Sequence, residues 1–472
     1  MAELTKQHRY LVLGICCLSL FLVSTDNTIV NVALPSIRAD LNASVSGLQW
    51  IIDAYTLVLA SLLMLGGSSA DRYGRKKFFL IGTGSFVVGS LLCSIAPSLG
   101  WLVAFRMLQA VGGSMMNPVA MSIITNTFED PKERAGAIGV WGAVVGVSMA
   151  AGPALGGLLV TTSGWQSIFW VNVPVGLLAL ALTWKYVPES KADHARKFDP
   201  AGQVLVFVLL ATLVFTIIEG PGEGWTSPLI LAGGTVTAAS LVALLFVEAR
   251  SAEPLIDLRF FRSVPFTGAT AIAVSAFASL GGFLFLNTLY LQDVRGLSAL
   301  HAGLYTLPMA LMTLICAPLS GRITGTRGPR IPLVVGGLGI LVSAAMLTRI
   351  DVGTSAAWLA SAYIVFGIGF GMVNAPITNT AVSGMPRSQA GVASAIASTS
   401  RQVGSSLGVA VIGSIVAAGT VGAFADSFVA AAVPAWIVIV GAGAVVLILA
   451  FVTTGPRARI TAERVADTQP TA

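Results

Sequence analysis

The sequence predicts an all-α polytopic membrane protein of fourteen transmembrane helices, and three observations carry that expectation. The first is composition. Of 472 residues, 55% are hydrophobic and only 10% charged, whereas soluble domains run roughly 45–50% and about 25%. The second is that the apolar residues fall in continuous runs of about twenty, the length that crosses the hydrocarbon core as a helix. A membrane β-barrel would instead show short alternating segments. The third is that the basic residues between the runs concentrate in every second connection. The 51 glycines and 21 prolines fit the same class, because neighbouring helices cover the backbone they disturb.

The runs lie near 11–34, 48–70, 78–96, 101–125, 136–160, 167–184, 202–219, 228–247, 264–291, 303–324, 331–348, 357–381, 391–416 and 432–453. The first lacks a short apolar segment with a small-residue cleavage site, so it reads as a retained span and not a signal peptide. An even number of spans puts both termini on one side. With the N-terminus inside, the inner segments hold 22 of the 27 basic residues, while the outer loops hold Arg38, Arg295 and Arg349. The positive-inside rule then places both termini in the cytoplasm. The heavy use of Ala, Gly and Val suits a bacterial source, hence the bacterial cytoplasmic membrane.

The chain shows no motif for a bound cofactor. Cys16, Cys17, Cys93 and Cys316 all sit in apolar runs without CxxC spacing, and His194 and His301 are isolated in loops; buried small hydrophobes are the reading for such cysteines. There is no Walker A motif. The formal charge of +6 follows from the loop asymmetry and does not indicate a nucleic-acid surface. The partners expected are the lipid bilayer, protons and small molecules, with the chain a monomer.

Gly67 to Lys76, after the second run, is echoed by Gly321 to Arg330 after the tenth, which keeps the glycine frame but has Gly325 and Thr326 in place of Asp71 and Arg72. This echo predicts two related six-helix bundles, 1–187 and 260–455, with two additional central helices in 188–259 and a cytoplasmic tail at 456–472. Parallel repeats of this kind suit a rocking carrier.

Charged groups within the runs are the candidate functional residues, since an intramembrane charge pairs, faces water or relays protons. Asp26 stands among Asn27 and Asn31 in the first run, Asp53 beside Trp50 and Tyr55 in the second, and Arg106 ahead of Gln109 in the fourth. Asp26 reads as a proton site or a fixed structural tie, and Asp53 as a protonation site or a solvated mouth residue. Arg106 reads as the compensating charge for one of these acids or as a donor that reorganises when the acid protonates. Arg401, in the thirteenth run, reads as an anion contact or a tie to helix carbonyls. In the fifth run Gly146, Gly152, Pro153, Gly156 and Gly157 predict a bent, closely packed helix, because proline removes a backbone donor and small residues admit close approach. The Glu219 to Gly224 stretch reads as a flexible outer loop.

Together these motifs resemble the major facilitator superfamily, in particular its fourteen-span drug:proton antiporters. Gly67 to Lys77 resembles the family's loop signature, with Gly67, Asp71, Arg72, Gly74, Arg75 and Lys76 as the cytoplasmic latch. Asp26 to Pro35 resembles the first-span signature, and Arg106 to Gly113 the fourth-span motif with Ala110 where glycine is common. Gly152 to Gly157 resembles the antiporter motif, and Gly164 to Pro174 the entry to span six with Gln166 where arginine is usual. The resemblance implies a major facilitator fold and export of amphipathic drugs, antibiotics or toxic metabolites, cations among them, driven by the transmembrane proton gradient. Asp26, Asp53 and Arg106 would serve proton coupling, and Asp26, Asn27, Asn31, Trp50, Asp53, Tyr55, Gln109 and Arg401 would line the cavity. A proton-coupled uptake transporter and a non-transporting sensor or enzyme are the alternatives. No clustered nucleophile, base and metal set supports an enzyme.

Overall fold

The computed structural model describes residues 5–192, 199–251, 254–383 and 390–467, and every regular element in them is helical. His194, Arg196, Lys197 and Arg387 lie outside the described residues. The helices are α1 Lys6–Leu41, α2 Val45–Tyr73, α3 Arg75–Ser94, α4 Leu99–Thr127, α5 Pro131–Ser163, the single turn α6 Ser167–Trp170 and α7 Asn172–Tyr186. They continue as α8 Pro200–Glu223, α9 Pro228–Arg250, α10 Val264–Leu289, α11 Ala299–Arg327, α12 Arg330–Leu347, α13 Ala356–Val382, α14 Ala390–Gly419, α15 Phe424–Val452 and α16 Pro456–Asp467. A 3-10 turn, Leu258–Arg262, precedes α10, and a π-helical turn, Tyr290–Val294, ends it.

Among the described residues, thirteen helices are long and apolar enough to cross a membrane, with α6 and α7 counted as one. α4 is not among them, although it has 29 residues. Arg106, Gln109 and Asn117 dilute its apolarity. The stretch expected as a flexible loop after Glu219 is helical through Glu223, and the turn falls at Gly224, whose φ of 87° favours glycine. The expected tail is also in part a helix, α16, whose Thr461 hydroxyl accepts the Val264 N–H at 3.1 Å.

Local chemistry sets many of the helix starts. Ser44, Asp199, Ser227 and Ser355 each accept a backbone N–H three residues on, as N-caps do. Pro200 and Pro228 follow their caps at the first helical position, where a missing N–H costs nothing.

The chain forms two compact units, Met1–Phe198 with Ser298–Leu304, and Asp199–Leu297 with Tyr305–Ala472. In the first unit α4 lies against both α3 and α2, and α1 against α5. The α3–α4 contact is backbone on backbone. A β-carbon on Gly89 would stand 2.6 Å from Gln109 Cα, and one on Gly112 would stand 2.4 Å from the Phe86 nitrogen. Glycine at both positions is what seats Gln109 beside α3.

In the second unit α10 packs on α14, and α12 on α13 and α15. Its centre is aromatic. Phe283 stacks on Phe366 at 4.0 Å and meets Tyr363 and Trp436 edge-on, and the Tyr363 hydroxyl donates to Asn287 Oδ1 at 2.5 Å. The helices α8 and α9 belong to this unit, where the Ser414 hydroxyl donates to the Ile217 carbonyl at 2.5 Å. α9 leaves Leu229, Leu231, Val242 and Phe246 exposed, apolar side chains that suit lipid.

Candidate functional site: a buried ion pair in the first unit

The first unit encloses a charged network. Asp26 and Arg106 are 0% and 1% exposed. Arg106 Nη1 donates to Asp26 Oδ2 at 2.5 Å and to Gln109 Oε1 at 2.6 Å, while its Nε donates to the Ile51 carbonyl at 3.3 Å. Asp26 Oδ1 accepts from Gln109 Nε2 and from Asn172 Nδ2, both at 2.9 Å. Gln109 Nε2 and Asn172 Nδ2 also donate to Ser90 Oγ, at 2.7 and 3.4 Å. The guanidinium lies over the Tyr55 ring at 4.1 Å and faces Phe169 at 5.8 Å. Thus α1, α2, α3, α4, α6 and α7 each contribute a group.

Such a pair survives out of water because every ionised atom meets an opposite charge, a hydrogen-bond partner or a ring face; a buried pair without those supports is unstable. Arg106 has other acceptors at hand, Gln109 Oε1 and the Ile51 carbonyl. The network is therefore one in which the carboxylate and the guanidinium can separate without leaving the cation bare.

The remaining expected residues fall in different places. Asp53 is also fully buried, and its Oδ1 accepts from the Thr56 hydroxyl at 3.4 Å. Asn31 donates back to the Asn27 carbonyl within α1. Trp50 is half-buried, and the Tyr55 hydroxyl has no hydrogen-bond partner among the described residues. Arg401 is in the second unit, where its Nη2 donates to Thr378 Oγ1 and the Asn374 carbonyl and its Nη1 to Ser398 Oγ, with Phe277 5.9 Å from the guanidinium.

Gly152 and Gly156 of α5 lie against α1. Their β-carbons would stand 1.9 Å from Thr28 Oγ1 and 2.6 Å from Ile29 Cγ1. Thr28 and Ile29 stand two and three residues after Asp26, so the small face of α5 sets the position of the α1 segment that carries the acid. Gly157 faces the Ala299 and Leu300 backbone within the same unit. Pro153 lies inside α5, and Gly146 of the same helix is buried.

At the α2–α3 turn, Arg75 Nε donates to Asp71 Oδ1 at 2.8 Å and Gly74 takes φ 119°. The segment after α7 is knitted across this turn. Glu189 accepts the Lys76 and Lys77 N–H groups at 3.0 and 3.2 Å, Ser190 O accepts the Arg75 N–H at 2.9 Å, and Ala192 N–H donates to Asp71 O at 3.0 Å. Lys76 Nζ reaches the Trp184 carbonyl at 2.7 Å. Arg72 lies near the Tyr73 ring, and Gly67 packs on Pro118.

Sequence reasoning missed Ser90, Asn172, Phe169, Thr28 and Glu189 as site residues. Asn172 stands in the Gly164 to Pro174 motif and could have been found as an amide at the start of an apolar run. Ser90 and Glu189 carry no signal outside the folded structure. No group of three or more His, Cys, Asp or Glu side chains able to hold a metal occurs among the described residues.

A bundle of long apolar helices around a satisfied ion pair defines a multi-pass membrane transporter, and the comparisons narrow the class. The Major Facilitator Superfamily profile matches residues 16–409, so the chain belongs to that superfamily. It is 38% identical over 401 residues to the multidrug resistance protein Stp of Mycobacterium tuberculosis, covering 85% of this chain and 74% of the relative. It is 38% identical over 424 residues to the tetracenomycin C resistance and export protein of Streptomyces glaucescens, covering 88% and 77%. A bacterial homologue of the lysosomal transporter Spinster, in an inward-facing and unoccupied conformation, shares the fold with TM-score 0.70 at 19% identity, covering 97% of this chain and 99% of that one. This is a bacterial transporter of the multidrug- and antibiotic-resistance group, not an enzyme.

Proposed function

We propose that the protein exports amphipathic small molecules, cations included, in exchange for protons by alternating access. The observation that carries this reading is the Asp26–Arg106 pair with its reserve of acceptors. Proton binding to Asp26 removes the charge that holds Arg106. The arginine then rests on Gln109 Oε1, Ile51 O and the Tyr55 face, so a proton exchanges for a local rearrangement among α1, α2 and α4. The names of the relatives, resistance and export proteins, support outward transport. Asp53 acts as a second acidic group of the same unit, and Asn27, Asn31, Trp50, Tyr55, Gln109 and Arg401 as substrate contacts.

In this reading α4 is the fourteenth span, giving six plus two plus six helices with both termini cytoplasmic and Asp71 and Arg75 as the inner latch. The proton gradient supplies the drive, and no cofactor is required. The test is flux in proteoliposomes with an imposed pH gradient and a panel of lipophilic cations, neutral antibiotics and anions. Antiport appears as substrate moving against proton flow. Substrate and protons moving the same way would establish uptake instead. Binding without flux would establish a non-transporting role.

A further inference from the structure

The helices α8 and α9 contribute nothing to the Asp26 network, yet they enclose an acid pair of their own. Glu248, in the last turn of α9, is only 3% exposed, a rare state for glutamate. Its Oε2 accepts the Ile256 N–H at 3.1 Å. Its Oε1 is buried without a hydrogen-bond partner and points at Gly202 in the first turn of α8, where a β-carbon would stand 2.5 Å away. Asp199 caps that same turn, its Oδ1 accepting the Gly202 N–H at 2.8 Å. Its Oδ2, likewise buried without a hydrogen-bond partner, stands 2.7 Å from the same point. The two oxygens therefore approach within about 5 Å across a residue that has no side chain to part them.

Among the described residues, the surrounding charges do not neutralise the pair. Asp257, beside the 3-10 turn, is a third carboxylate and engages Arg259 at 2.8 Å. Arg250 is exposed and lies over the Phe246 ring at 3.4 Å, and Arg262 is exposed. On α14, which packs against α8, Arg401 is held by Thr378, Asn374 and Ser398. Two converging buried carboxylates with no cation beside them among the described residues do not both ionise, because the second charge meets both repulsion and poor solvation.

We infer that Asp199 and Glu248 bind one proton between them, carried on Oδ2 or Oε1 and exchanged with water through the half-exposed residues 254–258. Bound, the proton closes the base of the α8–α9 hairpin and keeps Glu248 on the Ile256 N–H. Released, it leaves two like charges facing each other at the joint between α9 and the 3-10 turn. The two central helices thus carry a protonation site distinct from the ion pair of the first unit. This site does not depend on the antiport reading.

The test is infrared difference spectroscopy of the full-length protein in lipid, titrated from neutral to alkaline pH, with E248Q and D199N beside the wild type. Both amides keep the shape of the acid and an oxygen for the backbone N–H. The expected result is a protonated-carboxyl band in the wild type that disappears on alkalinisation and is missing from E248Q. In D199N the titration midpoint of that band moves by about one pH unit or more. A spectrum of E248Q identical to the wild type, or a midpoint unmoved by D199N, overturns the pair.

Discussion

Arg106 and Asp26 meet at 2.5 Å with both side chains essentially excluded from solvent. Removing one partner of such a buried pair costs about 3–5 kcal/mol, because it strands the other charge. D26N keeps the shape and one acceptor but deletes the charge. It should abolish substrate-driven proton movement in proteoliposomes while the protein still inserts and binds ligand. Proton movement at the wild-type rate would remove Asp26 from coupling.

R106K tests geometry apart from charge. Arg106 reaches Asp26, Gln109 and Ile51 from a planar fork laid on the Tyr55 ring, and an ammonium cannot reproduce that arrangement. Exchange should fall by at least about tenfold, the equivalent of about 1.4 kcal/mol in a barrier. Equal rates for arginine and lysine would reduce the residue to a point charge.

The α1–α5 contact makes a prediction about space. A methyl group on Gly152 would overlap Thr28 Oγ1, and overpacking of this kind costs about 1–3 kcal/mol. G152A should lower the melting temperature and slow transport. T28A in the same chain should restore part of both, since contacting sites are not additive. Melting curves of the single and double variants decide this; strict additivity would show that the two residues do not meet.

Glu189 ends α7's trailing segment on the first two free N–H groups of α3, an anion at a helix N-terminus. E189A should destabilise the first unit by about 1–2 kcal/mol and expose a cysteine placed at the buried Val187 to a water-soluble reagent. E189Q, which keeps one acceptor, should have a smaller effect. Unchanged labelling in both variants would show that the strap does not hold the turn.

Much of the architecture could be read from the chain because apolar run length alone determines where a helix can span. The exceptions have local causes. The sixth run breaks into α6 and α7 at Val171, α10 ends in a π-helical turn at Tyr290, and α8 runs through Pro221 where a loop was expected. None of these changes the apolar count that the reading relies on. Asp26 and Arg106 stood out as charges in apolar surroundings. The choice between Asp26 and Asp53 as the partner of Arg106 required packing, because it depends on Gly89 and Gly112 bringing α3 against α4. Ser90 and Thr28 are ordinary residues until a neighbouring helix gives them a role. Glu248 stands in sequence among the charges that follow the eighth run, and only its burial against Gly202 distinguishes it.

The composition of α4 also bears on how the chain is made. An arginine within a nascent span carries a penalty of up to about 2.5–3.5 kcal/mol, greatest at the span's centre, for leaving the translocation channel, so α4 with Arg106 in its third turn is a poor passenger by itself. Translation delivers α1 and α3 earlier, and with them the Asp26 carboxylate and the Ser90 hydroxyl. The fourth helix can thus enter lipid already matched to companions waiting beside the channel. The ion pair buried in the finished protein would then serve, during synthesis, as the handhold by which this arginine-bearing helix is admitted to the membrane.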